Sequence, residues 1–112
     1  MNVGGAARLF AYQTVWRGLG VKGAGRALLH ALGSNDEDLR TLAGMFLVQG
    51  GRKAVPLVRE GLAQRENLPL VLRIAGDVGA RELIPELERF TVDRDPAVAQ
   101  AARDALRVLA VS

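Results

Sequence analysis

The chain has no cysteine and a single histidine, His30. Without thiols there is neither a disulfide framework nor a thiolate metal site, and one imidazole cannot make a multi-histidine site. Aromatic residues are only 4% of the sequence against 49% apolar residues overall, so the core is built from Leu, Val and Ala, which suits close packing of helices. No apolar run approaches the ~18 residues of a membrane span. Acid is also unevenly missing. Residues 1–35 carry Arg8, Arg17, Lys22 and Arg26 and no carboxylate, whereas the remaining 11 basic and 12 acidic residues nearly cancel. The net charge of +3 therefore reports a basic first third, not a basic protein. With 112 residues there is room for one domain.

What is present is an internal repeat with a step of about 29 residues. Shifted by that step, Leu39 meets Leu68, Ala43 meets Leu72, Gly50 meets Gly79, Arg52 meets Arg81 and Pro56 meets Pro85. A third partial copy places Val98 and Ala102 where Leu68 and Leu72 stand. A period of this length predicts a solenoid, whose units bury their apolar faces by stacking on one another.

Helical periodicity runs from about residue 25 onward. Ser34 and Glu37 form an S-x-x-E capping box ahead of a helix over 34–49, in which Leu39, Leu42, Ala43, Phe46 and Leu47 recur at three and four. Gly50-Gly51 ends it, and a second helix over 52–63 has Pro56 near its start. The plan recurs with Asn67 as cap, a helix to Asp77, a stop at Gly79 and a partner helix over 81–91. Asp95-Pro96 opens an amphipathic terminal helix over 95–110. Residues 6–18 lack breakers and a polar face, 18–25 read as a glycine-rich turn or linker, and 26–32 read as the second helix of a degenerate unit. The expectation is an all-α, short right-handed solenoid of about seven helices. Residues 1–22 form a cap helix and linker, and 23–112 a repeat domain with a partial unit at 23–33, full units at 34–63 and 67–91, and the terminal helix.

The segments Asp38-Leu39-Arg40, Ala43, Leu47, Gly50 and Ala54-Val55-Pro56-Leu57, then Gly79 and Leu83-Ile84-Pro85 with Leu87, then Asp95-Pro96-Ala97-Val98, resemble HEAT-type repeats, in particular the short PBS-lyase HEAT-like variety. Pro69 and Ala99 stand where that pattern has arginine. The resemblance implies a right-handed stack of helix pairs of the armadillo type, second helices lining a concave face, and a role in binding macromolecules. It implies no lyase activity here.

Three functions compete. The first is a non-enzymatic, cytoplasmic scaffold with no cofactor or metal, binding a protein partner through the ridge of its second helices. Arg52, Lys53, Arg59, Arg81 and Glu82 are its contacts and Trp16 its anchor. The second is a nucleic-acid binder using the basic first third. The third is an enzyme holding a phosphate or nucleotide in Gly18-Leu19-Gly20-Val21-Lys22-Gly23, which matches G-x-G-x-x-G ahead of a helix. His30 has no oriented partner for catalysis, and Asp36, Glu37 and Asp38 are accounted for as charges at a helix N-terminus. An Arg59–Glu88 ion pair is expected between successive second helices, and the arginines at 52 and 81, like those at 73 and 103, are expected in register. Ala101, Ala105 and Val108 on the terminal helix are expected to stay exposed and to favour self-association.

Overall fold

The computed structural model describes residues 3–111; residues 1–2 and 112, at the outer ends of the expected cap and repeat segments, lie outside the described residues. Seven α-helices and no strand occur among the described residues: α1 (Val3–Leu19), α2 (Lys22–Ala31), α3 (Glu37–Gln49), α4 (Val55–Gln64), α5 (Leu68–Asp77), α6 (Ile84–Phe90) and α7 (Pro96–Ala110). Short 3-10 turns at Gly51–Ala54 and Arg81–Leu83 precede α4 and α6. The odd-numbered helices pack in succession, α1 on α3, α3 on α5 and α5 on α7, while α2 packs on α4. The whole measures 38 × 27 × 23 Å.

One apolar core runs the length of the molecule, with Leu28, Leu32, Leu47, Val58, Leu72, Leu83, Leu87 and Leu109 fully buried, and it contains no buried charged residue among those described. Positions that the sequence step of about 29 residues aligns take matching places in it. Ala43, Leu72 and Ala102 are each fully buried on successive odd-numbered helices, and Pro56 and Pro85 each occupy the first turn of α4 and α6. Both prolines are tolerated because the first-turn N–H groups have no intrahelical partner.

Several boundaries differ from the sequence reading. The cap of α3 is Asp36, whose side chain accepts from the N–H groups of Asp38 and Leu39. Ser34 is displaced because its N–H donates to the Ala31 carbonyl at 3.1 Å and its hydroxyl accepts from the Asp36 N–H at 3.1 Å, while its carbonyl accepts from Arg40 Nη1 at 2.6 Å. Asn67 does precede α5, but in a left-handed conformation (φ 52°) and without a side-chain cap bond, its amide lying beside Gly33. Asp95 caps α7 as expected, accepting from the Ala97 N–H at 2.9 Å. The glycine-rich linker shrinks to Gly20 and Val21, since Gly18 lies in α1 and Gly23 and Gly25 in α2.

Trp16 is 4% exposed and belongs to the core, which removes it as a surface anchor. The reason is a slot formed by two distant glycines. A Cβ at Gly50 would overlap the six-membered ring of the indole, and one at Gly25 would lie 2.8 Å from its Cδ1 and Nε1. Ala105 on α7 is likewise buried rather than exposed, because Gly76 of α5 lets the two backbones approach; Val108 is exposed and Ala101 half-buried.

Candidate functional site

Arg52, Lys53, Arg59, Arg81 and Glu82 are all exposed on the α4 and α6 side, within α4 or the 3-10 turns leading into α4 and α6. Most of them hold one another or neighbouring elements. Arg52 pairs with Glu82 across the repeat step and also donates to the Gly79 carbonyl at 3.5 Å. Lys53 Nζ donates to the carbonyl of Arg17 at the end of α1. Arg59 lies 3.6 Å from Glu86, not from the expected Glu88. Leu87 is buried in the core, so Glu86 and Glu88 sit on opposite flanks of α6, and Glu86 is the one that Arg59 of α4 reaches. Arg26 of α2 reaches Glu60 of α4 at 2.9 Å, and Arg65 reaches Asp93 at 2.8 Å. Arginines thus repeatedly pair with acids 27 to 34 residues further along the chain.

These contacts tune the acids. Glu82 is held below the ordinary carboxylate range, first by a bond from its own backbone N–H and then by Arg52. Asp93 is held below it by the Arg65 hydrogen bond, helped by the Asp95 N–H. Arg65 itself sits in the left-handed region (φ 54°) at the C-cap of α4, with its guanidinium 5.6 Å from the centroid of the Phe90 ring. Arg73 and Arg103 are not left as bare like charges either. Arg73 lies 4.0 Å from Asp77, and Arg103 donates to the Thr91 carbonyl at 3.1 Å.

The phosphate-loop candidate lacks the geometry it needs. Only Gly20, at φ 68°, and Val21 lie outside helices, which is too short a segment to wrap backbone N–H groups around an anion. His30 is exposed beside a shallow cavity of about 440 Å³ with Ser34, Glu66 and Asn67, where the Ser34 hydroxyl is already engaged by Asp36. Among the described residues no three His, Asp or Glu side chains are grouped to hold a metal, and no helix is long and apolar enough to cross a membrane.

One concavity was not anticipated. A groove of about 590 Å³ lies between α3 and α5, on the odd-numbered helices rather than on the α4 and α6 side. Met45, Val48, Leu70 and Ile74 give it an apolar floor, and Glu37, Arg40, Arg73 and Asp77 line it with charge. Met45 is 50% exposed there. Gly44, in the middle of α3, opens onto the same groove, and the nearest atom to a Cβ built on it is Leu32 Cδ2 at 3.9 Å. The floor could therefore hold a larger side chain, and glycine stands there despite its disadvantage of about 1 kcal/mol inside a helix. The volume falls in the ~300–1,000 Å³ range of ligand-binding clefts.

Comparison with protein-family models, with curated proteins and with solved structures returns no match. The reading of the site rests on its geometry. Sequence periodicity missed the groove because Met45 and Leu70 look like ordinary members of apolar stripes. The one local signal was Gly44, a helix-interior glycine with no packing reason in its own segment.

Proposed function

We propose that the chain is a non-enzymatic helical-repeat module of the HEAT type it resembles, a short right-handed solenoid that binds a protein segment in the groove between α3 and α5. The observation carrying this reading is the open apolar floor at Gly44, Met45 and Leu70. A thioether floor adapts to varied apolar side chains, and a glycine permits close backbone approach. The charged groups at the groove suit the polar flanks of an amphipathic helix. Arg52, Arg59 and Glu82 act within the fold as links between units, which makes the second-helix ridge the weaker candidate for the contact.

The test is a peptide selected on the wild-type chain from a displayed random library, measured by fluorescence anisotropy. Met45→Glu and Leu70→Glu should each weaken it at least ~10-fold, about 1.4 kcal/mol, while Arg52→Glu/Arg81→Glu leaves it unchanged. Loss only in the arginine variant would return the site to the second-helix ridge. Indifference to both would end this reading.

A further inference from the structure

We infer that the outer face of α1 docks on an anionic lipid surface. In an ordinary surface helix the side facing away from the core is polar. In α1 it is not. Leu9 and Trp16 point into the core, and the face opposite them is apolar as well. At about 100° per residue, the solvent-facing arc is bounded by Arg17 on one side and Arg8 on the other. Between them lie Val3, Ala7 and Ala11, with Phe10 at the Arg17 edge, its ring edge-on to Phe46 of α3 at 4.9 Å, Val15 half-buried at the Arg8 edge, and Thr14 the one polar side chain. Val3 is 79% and Phe10 54% exposed, and Leu19 and Val21 extend the exposed apolar surface to the start of α2.

Charge selects the occupant. Residues 3–35 contain no carboxylate. Among the described residues, none of Arg8, Arg17 and Lys22 has an acid within ion-pair distance, and Lys53 joins them by donating to the Arg17 carbonyl. A second copy docked on this face would bring four arginines into one seam with no acid to meet them. A nucleic acid would leave Phe10 and Val3 in water. An anionic bilayer surface satisfies both features: the apolar arc enters the boundary between headgroups and acyl chains, and the flanking cations reach lipid phosphates. The helix lies on the surface and does not cross it.

The test is co-sedimentation of the full chain with vesicles of phosphatidylcholine alone and with phosphatidylserine at about 30%. Binding is expected only to the anionic vesicles and should weaken as salt rises. Ala7→Glu/Ala11→Glu places acids at the centre of the face on exposed residues outside the core, so the helix survives, which far-UV circular dichroism checks. It should lower partitioning at least ~30-fold, given about 1 kcal/mol per charge near such a surface. Ala63→Glu/Gln64→Glu, exposed sites on α4 with the same change in net charge, should lower it far less. No binding to anionic vesicles at low salt overturns the proposal, as does equal loss in both double variants. So does a concentration-dependent dimer abolished by Ala7→Glu/Ala11→Glu, or binding to a DNA duplex in preference to vesicles. None of these outcomes bears on the α3–α5 groove.

Discussion

Two adjacent glycines, Gly50 and Gly51, should respond to alanine for different reasons. Gly50 has helical dihedrals (φ −68°, ψ −18°), so on backbone grounds Gly50→Ala should stabilise by about 0.4–1 kcal/mol through the unfolded state. Space opposes this. The new Cβ would overlap Trp16 Cη2 and lie 2.7 Å from Cζ3, so the buried indole would have to move in a filled core. Overpacking of that kind costs about 1–3 kcal/mol, and the net expectation is a loss of about 1–2 kcal/mol, or a Tm drop of about 4–8 °C. Gly51 has φ 57° and no atom within 4 Å of where a Cβ would stand, so Gly51→Ala should cost about 1–2 kcal/mol through the left-handed backbone alone. Trp16→Phe separates the two. It removes the outer indole atoms that meet Gly50, so Gly50→Ala should be tolerated in that background with a coupling of about 1 kcal/mol, while Gly51→Ala should remain additive. Urea denaturation followed by far-UV circular dichroism measures all of these. A stabilising Gly50→Ala, or additivity with Trp16→Phe within ~0.5 kcal/mol, would refute the slot.

Gly44→Ala should raise stability by about 0.5–1 kcal/mol in urea denaturation, because the site is helical and has room, while Gly44→Leu should block peptide binding in the groove. Gly76→Leu should destabilise by more than about 2 kcal/mol in the same assay, because a Cβ there already lies 3.1 Å from the Ala105 backbone. Arg65→Gly should melt higher than Arg65→Ala, since both lose Asp93 and Phe90 but only glycine relieves the left-handed backbone, by about 1 kcal/mol. Because Asp93 and Glu82 are held below the ordinary carboxylate range, they stabilise the fold above the unfolded range, and that stability disappears as pH falls through the folded values. Asp93→Asn/Glu82→Gln should therefore flatten the Tm–pH profile below about pH 4.5.

Local chemistry determined the helical content and its punctuation. Apolar residues at three and four, Asp95-Pro96, Gly51 and the early prolines at 56 and 85 fix where helices begin and end, because caps and dihedrals act within one turn. The Ser34 capping box fails because both groups it needs are taken, the Ser34 N–H by the Ala31 carbonyl and the hydroxyl by the Asp36 N–H. Relations across a repeat step were decided by the tertiary structure. The rotation of each helix about its axis determines whether Arg59 meets Glu86 or Glu88, and that rotation is set by which side chains from neighbouring units fill the core. The same packing buries Trp16 between Gly25 and Gly50 and leaves a groove between Met45 and Leu70. It also turns a second apolar face of α1 outward. Periodicity shows that a residue belongs to a stripe, but only the packed neighbours decide whether that stripe is covered.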